Sequence, residues 1–290
     1  MASPTAVFRS GATALITGAA SGVGLSVAKL CAAHSMDLIL VDNNSSALAS
    51  AKSAISTKGS VEFHTMDVGS LSDWASLKTS VENSGKKLDF LHLNAGIGLN
   101  GKWDDSAYFQ KIFEVNLFGV VNGLNTFVSH FENNTADRKA IVVTGSKQGI
   151  TNPPGNPAYN ASKSAVKTLT EHLSFDLTKS SPSTSVHLLV PGWTFTGLTG
   201  GGATKEKPAG AWAPEQVADY LYKKMDGSFY IICPDNDVDE ETDRKRMTWT
   251  MGDVVYDRKP QSRWLDEFKE EATETMNQMK LGGKQAGSSC

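Results

Sequence analysis

At 290 residues, with a formal net charge of −3, 40% hydrophobic and 20% charged, the chain has the balance of a globular protein long enough for one large α/β unit. Weak net acidity, with no basic run interleaved with aromatics, excludes nucleic acid as an expected partner. Cys31, Cys233 and Cys290 form no paired framework, the histidines are scattered, and no stretch has the apolar length of a signal peptide or a bilayer span, so the expectation is a cytoplasmic protein with neither metal nor membrane partner.

Residues 13–17 (TALIT) read as a short buried strand that runs into Gly18-Ala19-Ala20-Ser21-Gly22-Val23-Gly24, after which Val23, Val27, Leu30 and Cys31 mark the inner side of a helix. A dinucleotide pyrophosphate needs such a turn: glycines let backbone approach closely, and a helix N-terminus offers free N–H groups and a positive dipole end. Gly18, Ser21, Gly22, Val23 and Gly24 are the candidate contacts. A glycine-rich turn alone is weak evidence, since Gly96, Gly98 and Gly101 also follow a strand with Gly-x-Gly-x-x-Gly spacing. The next element separates the two. A second strand, DLILVD, ends on Asp42, placed to accept hydrogen bonds from the adenosine ribose hydroxyls. A 2′-phosphate within about 4 Å of that carboxylate is repelled by about 4 kcal/mol per charge at moderate dielectric. Asn43 and Asn44 follow, not arginine or lysine, so NAD is expected over NADP.

A helix near 45–57 leads to a third strand ending on Asp67-Val68, and a helix near 71–83 to a fourth, LDFLHL, followed by Asn94-Ala95-Gly96. Strands and helices alternating at this spacing build a parallel sheet covered on both faces, with ligands at the strands' C-terminal ends. A long apolar helix is expected over 106–131, with Asn116 in its middle, where a buried amide needs partners. Residues 140–144 read as a strand with Ser146 just beyond it, then a loop punctuated by Asn-Pro-Pro-Gly-Asn-Pro and a helix from about Pro157.

On that helix Tyr159 and Lys163 lie one turn apart on one face. A tyrosine titrates near 10, so acting as a base at neutral pH requires a shift of roughly 3 units, about 4 kcal/mol. One opposite charge supplies about 1–3 units; a second, such as an oxidised nicotinamide ring, completes it. Spacing alone does not identify such a pair. Tyr220 and Lys224 repeat it with Lys207 upstream where the first pair has Ser146, and they read as a solvated helix face.

The strand SVHLLV leads to Pro191-Gly192-Trp193-Thr194-Phe195-Thr196 and a glycine-rich loop over 197–212 with the composition of a mobile lid. Gln148, Trp193, Phe195 and this loop are the expected pocket lining. A helix over 214–225 and a strand FYIIC close a domain at 1–235; residues 236–280 read as a helical extension packed on it and 281–290 as a disordered tail.

Taken together, the glycine turn, Asp67-Val68, Asn94-Ala95-Gly96, Asn116, Ser146, Tyr159/Lys163 and Pro191-Gly192 resemble the short-chain dehydrogenase/reductase family in its single-domain form. The resemblance implies a Rossmann-type, doubly wound, seven-stranded parallel sheet in the order 3-2-1-4-5-6-7, assembled as a dimer or tetramer through the helices near 106–131 and 157–179. It implies that Tyr159 is the acid/base, that Lys163 lowers its pKa and binds the nicotinamide ribose, that Ser146 polarises the carbonyl and that Asn116 holds a relay water. Thr194 and Thr196 meet the carboxamide, and Asp67 and Val68 the adenine. The implied activity is hydride transfer between NAD(H) and a small secondary alcohol or ketone. The alternatives are a repurposed dehydratase, epimerase or cyclase, or a non-catalytic NAD(P)-binding protein. A serine hydrolase is disfavoured because Ser146 lacks the Gly-x-Ser-x-Gly elbow.

Overall fold

Short apolar runs, bounded by glycine turns and joined through helices, can bury both faces only as a covered parallel sheet. The computed structural model, which describes residues 4–199 and 206–282, has that architecture. Seven strands, β1 (Thr13–Thr17), β2 (Asp37–Asp42), β3 (Val61–Thr65), β4 (Leu88–Leu93), β5 (Lys139–Thr144), β6 (Thr184–Val190) and β7 (Tyr230–Ile232), form one parallel sheet in the order β3-β2-β1-β4-β5-β6-β7. Consecutive residues point to opposite faces: Ile16, Leu40 and Phe90 pack with one set of helices, Leu15, Ile39 and Leu91 with the other.

Helices α1 (Gly22–Ala33), α2 (Ser45–Ala54) and α3 (Leu71–Asn83) fill the connections between β1 and β4. Asn44 and Ser70 cap α2 and α3, each accepting a hydrogen bond from a first-turn N–H. The strand order reverses between β1 and β4, and the crevice opens there, at the strands' C-terminal ends.

The helix expected over 106–131 is not continuous. It divides into α4 (Ser106–Phe113), a π-helical turn (Glu114–Phe118), α5 (Gly119–Phe127) and a 3-10 turn ending at His130. A π-turn inserts one residue into the helical ladder and re-aims the side chains around it. Here it places Asn116 in contact with the Ile97 backbone while α5 stays packed on the sheet. The packing is tight: a Cβ on Gly119 would lie 2.7 Å from Val68 Cγ2, and one on Gly123 would lie 2.5 Å from Leu93 Cδ2.

A second departure lies in the segment expected as loop after Ser146, which holds a one-turn helix, α6 (Gln148–Thr151), before α7 (Pro157–Ser180). Asn156 caps α7, with Pro157 at its first position. Beyond β6 come α8 (Pro214–Met225), α9 (Glu240–Val255) and α10 (Asp266–Gln278). Around α9, Trp249 donates to Ser262 at 2.8 Å, Ser262 donates to Asp253 at 2.6 Å, and the Arg258 guanidinium lies 3.8 Å from the Trp249 ring centroid. No helix among the described residues is long and apolar enough to cross a membrane, and no group of three metal-ligating side chains occurs among them.

Candidate active site

The crevice has a volume of about 970 Å³, at the upper end of the roughly 300–1,000 Å³ common for ligand pockets. One end is the turn after β1. Gly18 and Gly22 have φ of +64° and +53°, a region that favours glycine. Gly24 answers a different need: a Cβ there would lie 2.1 Å from the Gly18 carbonyl oxygen, so α1 could not approach the turn. Gly18, Ser21, Gly22 and Val23 line the crevice, while Gly24 serves packing behind it.

Asp42 lies beside this turn. Its Oδ2 accepts the Ala20 N–H at 3.0 Å and its Oδ1 accepts the Asn44 N–H at 3.0 Å, which orients the carboxylate and leaves further acceptor capacity toward the crevice. Asp67 and Val68 line the next stretch. Asp67 is fixed by Gly69 N–H at 2.9 Å and pairs with Lys111 at 3.3 Å, while the Val68 carbonyl accepts from Trp74 and Asn122. Asn94 donates from Nδ2 to the Thr17 carbonyl at 3.1 Å, and its Oδ1 accepts from the Thr144 hydroxyl at 3.1 Å. Gly18, Asn94, Ala95 and Gly96 thus form one wall.

The four residues of the expected reaction centre converge at the other end. Lys163, on α7, is 4% exposed and donates from Nζ to the Thr144 carbonyl at 2.8 Å. Tyr159 lies one turn earlier and, with Ser146 and Lys163, lines this end of the crevice. Asn116 is fully buried: Oδ1 accepts Ile97 N–H at 2.8 Å and Nδ2 donates to the Ile97 carbonyl at 3.0 Å. Gly96 lies between them, since a Cβ there would be 3.3 Å from Asn116 Oδ1 and 3.5 Å from Lys163 Nζ.

The electrostatics differ from the expectation that Lys163 lowers the Tyr159 pKa. Burial pushes the phenol above its ordinary value, the neighbouring Ser146 side chain opposes that shift, and the lysine makes no resolved contribution. Burial also pushes Lys163 down to about 8. Burial therefore shifts both groups toward their neutral forms, because each loses water without gaining an opposite charge.

Pro191, Gly192, Trp193, Thr194 and Thr196 cover the crevice from the β6 side. A Cβ on Gly22 would touch Thr196 Cγ2 at 3.0 Å and one on Gly98 would touch Leu198 at 3.5 Å, so this loop bridges both rims. Gln148 lines the crevice as expected, but Phe195 does not: its N–H donates to the Trp212 carbonyl at 2.8 Å, in a short pairing of 193–195 with Trp212 outside the crevice. Of the expected lid, 200–205 lie outside the described residues, as do 283–290 of the expected tail.

The sequence reading misses Lys147, Asn156 and Leu99, which also line the crevice, while Leu198 of the expected loop lines it as well. Only Asn156 carried a local signal, as an asparagine immediately before a helix-starting proline; it accepts from Tyr159 N–H and holds the Leu99 carbonyl at 3.1 Å. Tyr220 and Lys224, expected on a solvated face, instead share Glu240 of α9 at 2.8 Å and 3.2 Å.

Residues 12–207 match the family profile described as short chain dehydrogenase. The chain belongs to this family. The CLA biosynthesis dehydrogenase/reductase of Lactiplantibacillus plantarum is 32% identical over 191 residues, covering 63% of this chain and 65% of that protein. The chain thus spans less than two thirds of that relative's length. A short chain dehydrogenase/reductase from Burkholderia phymatum, solved in complex with NAD, superposes with a TM-score of 0.74 at 27% identity over 87% of this chain and 96% of that one. A 3-ketoacyl-(acyl-carrier-protein) reductase from Brucella melitensis, solved with NADH, gives a TM-score of 0.65 at 25% identity over 78% of this chain and 98% of that one.

Proposed function

We propose that the protein transfers hydride between NAD(H) and the carbonyl carbon of a small ketone or secondary alcohol. The observation that carries this reading is the convergence of Ser146, Tyr159 and buried Lys163 at one end of a crevice whose other end is a helix N-terminal glycine turn. The crevice suits a nicotinamide dinucleotide: Gly18 and Gly22 open backbone N–H groups to a pyrophosphate, Asp42 faces a ribose, and Thr194 and Thr196 lie against the far end. When bound, the cofactor supplies or accepts the hydride.

The chain's residues supply the proton and the geometry. Ser146 would donate to the substrate oxygen and polarise the carbonyl, and Tyr159 would deliver its proton to that oxygen as hydride arrives. The phenol's raised pKa suits this reductive direction, because the group is protonated at neutral pH. Oxidation calls for the opposite shift, which the added charge of an oxidised nicotinamide ring would favour. Lys163 would hold the nicotinamide ribose. Asn116, whose side chain is engaged with Ile97, would hold the relay water.

NAD is the proposed cofactor over NADP. Asp42 faces the ribose end, and among the described residues the cations lining the crevice are Lys147 and Lys163, both at the opposite end. We assign residues 1–235 to one catalytic domain and 236–280 to an extension packed on it, and propose a homodimer or homotetramer. Support for assembly comes from Phe118, Leu169 and Phe175, exposed on the π-turn and α7 at 53%, 36% and 66%. The test is a fluorescence titration with NADH and NADPH followed by a panel of cyclic, aryl and aliphatic ketones. Tighter NADH binding and ketone-dependent NADH oxidation are expected; binding of neither nucleotide overturns the reading.

A further inference from the structure

Lys147 stands between Ser146 and Gln148, yet its side chain turns away from solvent and is 14% exposed. Its ammonium meets two carboxylates that are more buried still. Asp235, 8% exposed and just beyond β7, approaches to 3.2 Å; Asp243, 3% exposed and in the first turn of α9, makes the second ion pair. Asp235 Oδ2 also accepts the Trp193 N–H at 3.2 Å, and its Oδ1 accepts the Asp237 N–H at 3.2 Å. The junction has no spare room: a Cβ on Gly192 would lie 2.7 Å from both Asp235 Oδ2 and Lys147 Nζ.

One buried cation therefore ties together the segment carrying Ser146, the Gly192-Trp193 segment covering the crevice, and α9. Lys147, Gly192 and Trp193 line the crevice, while Asp235 and Asp243 stand behind them. A buried ion pair is weak evidence for added stability but fixes geometry, because its partners cannot separate without leaving a charge unpaired. The second carboxylate is accommodated by its place in the first turn of a helix, at the positive end of the dipole. Nor is Asp243 the sole attachment of α9, which is also held by Tyr220 and Lys224 on Glu240, while beyond it Gln261 bonds the Asn152 carbonyl at 3.0 Å.

We propose that Asp243 is a positioning residue for carbonyl reduction: through Lys147 it sets where Ser146 and the Trp193 backbone stand, so that α9 completes the substrate end of the crevice. This rests on the reading of Ser146 as the group that polarises the carbonyl.

The test compares the full-length wild type with D243N, Y220F and S146A, using NADH and the panel ketone that the wild type reduces fastest. Displacing a reacting group by about 1 Å can cost about 100-fold, so D243N is expected to lower kcat by roughly 10- to 100-fold. Its Kd for NADH should stay within about twofold, because the glycine turn is untouched, and exchange of the Trp193 amide should accelerate. Y220F loosens α9 from its other side and should keep wild-type kcat. Should D243N not fold, D243E keeps the charge, moves it by one methylene and is expected to show the same split between kcat and NADH binding. Wild-type kcat in the folded variant, or a parallel loss of NADH affinity and kcat, overturns the proposal. Wild-type activity in S146A overturns the underlying reading instead.

Discussion

Lys163 and Asn94 are held by the same residue: the Thr144 carbonyl accepts from Lys163 Nζ at 2.8 Å, while the Thr144 hydroxyl donates to Asn94 Oδ1 at 3.1 Å. The hydroxyl in turn lies 2.9 Å from His92 Nε2. Because that hydroxyl spends its proton on Asn94, His92 must carry its own on Nε2 and donate. Asn94 then reaches the Thr17 carbonyl, beside the glycine turn. One threonine at the end of β5 thus links the proposed proton-transfer end of the crevice to the glycine turn.

Thr144→Val keeps the carbonyl but removes the hydroxyl, leaving Asn94 Oδ1 and buried His92 Nε2–H without this partner. The expected cost is about 1–3 kcal/mol in urea unfolding, with weaker NADH binding because Asn94 no longer braces the turn. Unchanged stability and affinity would show that the link is incidental.

Asp42→Ala should reverse part of the cofactor choice. Removing the carboxylate proposed to face the ribose is expected to weaken NADH and strengthen NADPH, moving the ratio of their Kd values by about 10-fold or more. Titration of both nucleotides against both proteins checks this, and an unchanged ratio places the selectivity elsewhere.

Acid should destabilise the fold through two buried imidazoles. Burial holds His92 down to about 3 and His187 to about 4, so both stay neutral in the native state while the unfolded chain takes up protons below about 6.5. The unfolded state binds the extra protons, so stability rises with pH across this window and falls as pH drops from about 6.5 toward 4. Two such groups give a limiting slope of about 2.7 kcal/mol per pH unit. Urea midpoints measured between pH 6.5 and 4.5 should show it, and His187→Gln should flatten it.

Lys163 works on the alkaline side. Its depressed native pKa of about 8, against 10.5 ordinarily, means the unfolded chain holds a proton that the folded one has lost. Cofactor-free protein should therefore gain stability from this group as pH rises from about 8 to 10, and Lys163→Met should abolish that gain.

Much of the fold was legible because its signals are local. Alternating apolar strands, the Gly18-to-Gly24 turn and the Asn156-Pro157 helix start each depend on neighbours within a few residues. The sheet order matches the one implied by resemblance to the family. The break in the helix around Asn116 was hidden, because a π-turn leaves the apolar pattern almost unchanged and is needed only so that Asn116 can meet Ile97, far away in the chain. Lys147 carries no local signal: its partner Asp235 lies 88 positions on, and nothing in either neighbourhood announces the pair. Phe195 was misplaced because its position depends on pairing with Trp212 rather than on its own apolarity.

If Tyr159 moves the proton, as proposed, the crevice holds NADH independently of its hydroxyl. The direct measurement is NADH oxidation by wild type and Tyr159→Phe across the ketone panel, together with the Kd of each for NADH. Loss of the proton donor with the fold intact should lower turnover by about 100- to 10,000-fold and leave the Kd within a factor of about two. Comparable turnover in the two proteins, or ketone conversion without a change in nicotinamide absorbance, would contradict the account.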